Sequence, residues 1–368
     1  MLSWSKYNIL LHSESLARYF LYNTCHTSVF ELDKEEYEEF KKISEQKIPV
    51  ASLPPGTREM LQENHLLTRN DRLEFLKHKT GLQARRFDKT RMRLILSPEE
   101  NTMDVTILHG ILNFIKMHHP EKLHILWHCK VLKNSIPAIS RLHTLVKMLN
   151  IKSYVSGIIT AGEYLGSQDI QNIREIAHNI QIIVPGICPD RQAEETEALS
   201  GKIEQLLSYG ITVRCAIHAG NSLMQQHLNK IFSNSKFTAG TASTCNGLPS
   251  GLPAKPAGEC LARHINSFII DSNGFAYKCW LDFKQKNNPV THVIDNSRNR
   301  TDLYVRYISD KDYLDDSGCQ ACRFVFLCNG GCPRPKIHNN GRPICSLNEK
   351  SLLNKIENHY EKEYRTGK

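Results

Sequence analysis

Five cysteines between Cys319 and Cys345 constrain this chain more than any other feature. They stand in C-Q-A-C-R-F-V-F-L-C-N-G-G-C-P, which is followed by a gap and then Cys345. The spacing is C-x2-C-x5-C-x3-C with one further thiol. Cys260 and Cys279 precede it, with Gly274 between them. A soft metal ion or cluster is held by several thiolates that converge from short loops, and turn residues such as Gly330, Gly331 and Pro333 let the backbone fold tightly enough for that. Structural zinc also accepts a C-x2-C pair with two further thiols. The other cysteines, Cys25, Cys129, Cys188, Cys215 and Cys245, are scattered. Clustering of this kind fits metal in a reducing compartment better than it fits a disulfide scaffold.

The chain has 368 residues, enough for two or three domains, and its 40% hydrophobic and 23% charged content is that of a soluble globular protein. The opening M-L-S-W-S-K-Y-N lacks the basic and apolar regions of a secretory signal, and no apolar run is long enough to span a bilayer. The expected location is the cytoplasm, with no membrane partner. The net charge of +9 is spread along the chain, which reads as a solvated surface and not as a nucleic-acid patch.

Three segments follow from the patterning. Residues 1–90 read as a small α+β, winged-helix-like unit. It has short strands at Tyr7–Leu11, Tyr19–Leu21 and Ser28–Leu32, a helix capped by Asp33, a second helix over Thr57–His65, and a wing-like strand at Arg72–Lys77. Modules of this order often bind a peptide as an added strand at the sheet edge; a packing extension is the plain alternative. Residues 91–239 alternate strands and helices. Strands are expected at Met92–Leu96, Leu123–Trp127, Tyr154–Thr160, Ile180–Val184 and Val213–Ile217. Helices are expected at Met103–His118, Ile136–Leu149, Asp169–His178, Glu194–Tyr209 (ended by Gly210) and Asn221–Phe232. That alternation predicts an α/β fold with a parallel sheet, open or closed into a partial barrel. Residues 240–368 begin with a Gly, Pro and Ser rich linker over 240–258. A hairpin with the turn S-N-G, the cysteine stretch and a closing helix over Ser346–Tyr364 complete the chain.

The string Cys260, thirteen residues, Gly274, four residues, Cys279, then C-x2-C-x5-C-x3-C and Cys345, resembles the SPASM domain. This is the auxiliary iron–sulfur domain that follows the catalytic barrel in many radical S-adenosylmethionine enzymes acting on peptides. The resemblance implies two auxiliary [4Fe–4S] clusters. Cys319, Cys322, Cys328 and Cys345 would hold one; Cys260, Cys279 and Cys332 would hold the other, with Cys245 or an open iron site as its fourth position. It also implies a partial (β/α)6 TIM-type barrel for residues 91–239. The stretch L-Y-N-T-C-H-T-S-V-F-E-L-D-K-E-E-Y resembles the opening of SPASM peptide maturases, and I-I-T-A-G-E-Y-L resembles their T-N-G-x-L segment with Ala161 in place of asparagine.

Two family features are missing. The C-x3-C-x2-C loop after the first barrel strand, which holds the cluster that cleaves S-adenosylmethionine, has no counterpart: R-M-R-L-I-L-S-P runs into E-E-N-T-M-D-V-T without a cysteine. The G-G-E-P-L loop is replaced by His128, Cys129, Lys130 and Val131. The chain therefore resembles a degenerate, pseudo-radical-S-adenosylmethionine SPASM protein. The resemblance implies a pseudoenzyme with no S-adenosylmethionine bound. Its expected setting is the modification of a ribosomally made peptide, with the precursor peptide and an intact radical enzyme as partners, and electron relay as a further role. Two alternatives stand beside it: an active maturase using an open auxiliary cluster, or a zinc-bound scaffold.

Other candidates read more plainly. His124 and His128 share a strand face but lack a carboxylate pair to complete a metal site. Cys129 reads as a reactive thiol or, more simply, a buried structural one. Arg334, Lys336 and Arg342 flank the thiols and read either as partners of anionic clusters or as solvated surface.

Overall fold

The computed structural model describes residues 2–99, 103–129, 131–161, 167–184, 192–217, 228–232, 236–241, 259–295, 299–310, 312–338, 345 and 347–366. Two compact units emerge, and neither is continuous in sequence. One comprises 1–86, 247–260 and 309–368; the other comprises 87–246 and 261–308. The sequence segments expected at 1–90, 91–239 and 240–368 are thus redistributed between two bodies.

The first unit opens with β1 (Ser3–Trp4), β2 (Asn8–Ser13), β3 (Arg18–Asn23) and β4 (Ser28–Leu32), followed by α1 (Lys34–Ser44), α2 (Pro55–Glu63), β5 (Leu67–Thr68) and α3 (Asp71–Arg86). Strands β2, β3 and β4 form an antiparallel sheet in that order, and β1 pairs with β5. The expected Asp33 cap is present as a full capping box: its carboxylate accepts from the Glu36 amide, and Glu36 returns a carboxylate to the Asp33 amide. Alternation along β3 serves both faces of the sheet. Phe20 and Tyr22 point to one side, where they meet Phe324, Leu327, Leu352 and Ile356. Leu21 points to the other and meets Phe40, Ile43 and Leu61. Each of these side chains removed from water contributes roughly 1.5–3 kcal/mol.

The wing-like strand expected at Arg72–Lys77 is instead the first half of helix α3. Asn70 decides this: its side-chain oxygen accepts from the amides of Arg72 (2.9 Å) and Leu73 (3.3 Å), which caps the turn. Asp71 and Glu74 lie in the first turn, Arg85 and Arg86 in the last, which suits the helix dipole. Phe75 and Leu82, seven residues apart, are buried on one face.

The second unit carries β6 (Arg91–Glu99), α4 (Val105–His118), β7 (Lys122–Cys129), α5 (Leu132–Lys147), β8 (Ser153–Ala161), α6 (Ser167–Ile173), β9 (Asn179–Val184), α7 (Gln192–Ser208), β10 (Thr212–Ile217) and β11 (Phe237–Thr241). It continues with β12 (Ser267–Asp271), β13 (Phe275–Tyr277), α8 (Trp280–Lys284), β14 (Thr291–His292) and α9 (Thr301–Ser309). The sheet order is β11-β10-β9-β8-β7-β6-β12-β13-β14. From β6 to β11 each strand lies parallel to its successor. Among the described residues this is an open α/β sheet, with its ends at β11 and β14. Right-handed crossovers in such a sequential order put the connecting helices on one face. One row of that face reads Ile270, Leu96, Trp127, Ile158, Ile180 and Val213, all fully buried. The opposite face carries the row His128, Ile159, Gln181 and Arg214.

The hairpin expected near Gly274 is present as β12–β13. Asp271 builds its turn by accepting from the amides of Asn273 and Phe275, each at 3.0 Å. Two features carry no sequence signal: β12 also joins β6 in parallel, and Phe237–Thr241 forms a strand. Part of the helix expected over Asn221–Phe232 and nearly all of the 240–258 linker lie outside the described residues. The first unit ends with α10 (Ser317–Ala321), α11 (Val325–Cys328), α12 (Pro333–His338) and α13 (Glu349–Thr366). No described helix is long and apolar enough to cross a membrane.

Candidate metal centre

The cysteine stretch folds as a chain of short turns. Asp316 caps α10 by accepting from the Cys319 amide at 2.8 Å. The Cys322 amide then bonds the Cys319 carbonyl (3.1 Å), the Cys328 amide the Phe324 carbonyl (2.9 Å) and the Gly331 amide the Cys328 carbonyl (2.8 Å). Asn329, Gly330 and Gly331 take φ values of 45°, 72° and 69° in succession. Only glycine, and less readily asparagine, adopts this conformation without strain, so C-N-G-G-C is a requirement of the backbone path. Gly330 also leaves room: a Cβ there would stand 2.3 Å from Cγ of Tyr313.

These turns carry Cys319, Cys322 and Cys328 in succession. Cys328 lies within electrostatic reach of Cys345 and Cys322, and Cys319 within reach of Cys328. Burial pushes the Cys319 thiol up to about 12, with the Asp316 carboxylate adding to it. Burial also raises Cys328, as do the neighbouring thiols. Backbone amides face two of the sulfurs: Phe324 donates to Cys322 at 3.4 Å, and Gly330 donates to Cys328. Among the described residues no three His, Cys, Asp or Glu side chains stand at the separation that one metal ion requires. Cys319, Cys322 and Cys328 come from one system of short turns, and backbone N–H groups face the Cys322 and Cys328 sulfurs.

Cys260, Cys279 and Cys332 are also among the described residues. Cys332 closes the same turn and is half-buried; Cys260 belongs to the same unit and is exposed. Cys279 belongs to the second unit, where it stands at the N-terminus of α8, buried and in hydrogen-bond contact with the Tyr307 hydroxyl. Asp282, fully buried, accepts from that hydroxyl. Cys245 lies outside the described residues.

Several supporting residues carry no sequence signal. Lys6 donates to the Gln320 carbonyl (2.9 Å) and Thr24 to the Arg323 carbonyl (2.5 Å), so the lead into β2 and the β3–β4 turn hold the two ends of the C-x2-C loop. His78 on α3 lies 3.0 Å from the Asn329 side-chain oxygen, with its ring against Phe326. A buried ion network ties three distant segments of this unit. The Arg86 guanidinium meets Glu259, which precedes Cys260, and Asp312, which precedes Cys319. Asn329-Gly330-Gly331 is the one legible cue; the others depend on residues hundreds of positions apart.

The end of β7 holds bulky aromatic groups. His128 Nδ1 lies 3.3 Å from the Ser97 hydroxyl, and its ring meets Trp280 edge to face at 4.8 Å. His124 is held below the usual imidazole range by burial and by Arg93. Cys129 faces the helices, fully buried, and burial pushes it up to about 11, so it is the structural thiol of the two readings.

No family profile and no curated protein sequence matches the chain. Among solved structures, it is similar to "Native anSMEcpe with bound AdoMet" at 12% identity and a TM-score of 0.48, over 75% of this chain and 97% of that one. It is likewise similar to a second structure, a histidine-tagged anSMEcpe with bound AdoMet, at 11% identity and a TM-score of 0.49, over 75% and 94%.

Proposed function

We propose that this chain is a metal-thiolate protein of the SPASM kind whose α/β sheet does not cleave S-adenosylmethionine, and that it assists the modification of a ribosomally made peptide. The observation that carries the reading is the system of short turns that holds Cys319, Cys322 and Cys328, with backbone N–H groups facing the Cys322 and Cys328 sulfurs. Cys319, Cys322, Cys328 and Cys345 would hold an iron–sulfur cluster. A bound cluster supplies one-electron chemistry or simply fastens a loop-rich fold. The absence of any cysteine between β6 and α4, with His128 and Trp280 at the end of β7, supports a silent sheet.

Strand β4 pairs only with β3 among the described residues, which leaves one edge with unpaired backbone groups. That edge supports peptide capture by strand addition, the precursor peptide being the intended guest and an intact radical enzyme the partner.

Anaerobic purification tests the reading. The protein is expected to be brown, to contain iron and sulfide, and to yield no 5′-deoxyadenosine from S-adenosylmethionine with a reductant. Replacing Cys328 with serine is expected to lower the iron content. Colourless protein with stoichiometric zinc and no iron would overturn the cluster, and 5′-deoxyadenosine formation would overturn the silent sheet.

A further inference from the structure

Two histidines far from the cysteine stretch in sequence meet in the first unit. His26 lies in the turn between β3 and β4, and His65 in the link between α2 and β5. Their rings stack with centroids 4.4 Å apart and planes 15° from parallel. Both residues are exposed, so protons reach them. The backbone is strained on both sides of the contact: His65 has φ of 58°, and the β-branched Thr27 has φ of 56°. The completely buried Asn23 ties the two segments together. Its side-chain oxygen accepts from the His26 amide (2.9 Å), and its nitrogen donates to the His65 carbonyl (3.3 Å). One residue on, the Thr24 hydroxyl donates to the Arg323 carbonyl (2.5 Å), next to Cys322. The ring contact is thus joined through adjacent bonds to the C-x2-C loop.

We propose that the His26–His65 stack is an acid-released latch: protonation of both rings parts the β3–β4 turn from the α2–β5 link and loosens the hold of Thr24 on the Arg323 carbonyl. Neutral imidazoles pack face to face. Two imidazolium rings at this separation repel, and the strained backbone on either side favours release. Among the described residues no carboxylate is bonded to either ring. On the same turn, Cys25 is a thiol that burial pushes up to about 12, so it stays neutral. On α3, Asp71 and Glu74 act on Cys25 and accept from the Ser5 hydroxyl. On α2, Glu63 stands two residues before His65 and is exposed. Beyond the turn, the Arg323 guanidinium is paired with Glu349 at 2.9 Å. The direction of the effect agrees with His26, which burial and then the charge of His65 hold below the usual imidazole range. A group depressed in the folded state takes its proton more readily once released. The latch is therefore closed above about pH 6.5 and opens as the pH falls below that value.

Hydrogen–deuterium exchange of the full chain, corrected for the intrinsic rate, tests this at about pH 7.5 and about pH 5. In the parent, exchange over residues 24–28, 62–66 and 319–324 should rise roughly fivefold or more at the lower pH, the effect of like charges about 4 Å apart in water. His26→Phe keeps a ring for the stack and has no proton to gain, so its exchange should be the same at both pH values. If His26→Phe does not fold, His65→Asn, which suits a left-handed backbone and removes the second charge, serves in its place. Thr24→Val should confine the acid effect to the two histidine segments. Equal protection of the parent at both pH values overturns the proposal, as does an acid-induced loss that persists in His26→Phe. Opening of the histidine segments with residues 319–324 unchanged overturns the link to the C-x2-C loop, as does a loop in Thr24→Val that opens as the parent's does.

Discussion

Replacing Gly330 with alanine tests the geometry of the centre at its tightest point. The residue has φ of 72° and lies between two others in the left-handed region. An L side chain there costs about 1–2 kcal/mol in backbone strain alone. The added Cβ would also fall 2.3 Å from Cγ, 2.4 Å from Cδ1 and 2.5 Å from Cβ of Tyr313. Tyr313 is fully buried against Phe75, Val325 and Phe326, so its ring has no free space to enter. Overpacking of this kind typically costs a further ~1–3 kcal/mol, which brings the expected loss to roughly 2–5 kcal/mol. Urea unfolding followed by circular dichroism measures it, with metal content read on the same samples. A second variant divides the total. Tyr313→Ala in the Gly330→Ala background removes Cγ and Cδ1, the two nearest clashing atoms, so against Tyr313→Ala alone Gly330→Ala should lose most of its steric cost and keep the backbone part. A Gly330→Ala protein within about 0.5 kcal/mol of the parent, with full metal content, would refute the account of the turn.

Further expectations follow from the buried charges and imidazoles. Arg86→Met leaves Glu259 and Asp312 facing each other without their cation, at sites 2% and 8% exposed, and should cost on the order of 3–5 kcal/mol by denaturant unfolding. The same variant should loosen the backbone beside Cys260, read as faster alkylation of that thiol. A pH series probes His143, which burial, with help from Lys147 and His178, holds down to about 4. Its folded value is depressed, so the unfolded chain binds the extra proton first. Stability should fall as pH drops from about 6.5 towards 4, by on the order of 1–2 kcal/mol, and His143→Gln should flatten that slope. A slope unchanged in His143→Gln would assign the loss to other groups.

The strands of the second unit are legible because a parallel sheet covered by helices needs short, dense apolar runs, and L-H-I-L-W and N-I-Q-I-I-V are such runs. The α1 cap is legible for a local reason, since Asp33 and Glu36 meet within one turn. Arg72–Lys77 reads as a strand but folds as a helix because the deciding atom, the Asn70 side-chain oxygen, lies outside that segment. Gly274 and the Asn329-Gly330-Gly331 run announce their turns because positive φ is a property of single residues.

Residue order dictates the identity and spacing of the thiols and the lack of a cysteine loop after β6, because ligand chemistry is written in the side chains themselves. Folding in three dimensions chooses which groups serve them. Arg86 finds Glu259 and Thr24 finds the Arg323 carbonyl, pairings set by packing and desolvation between segments that no local pattern connects.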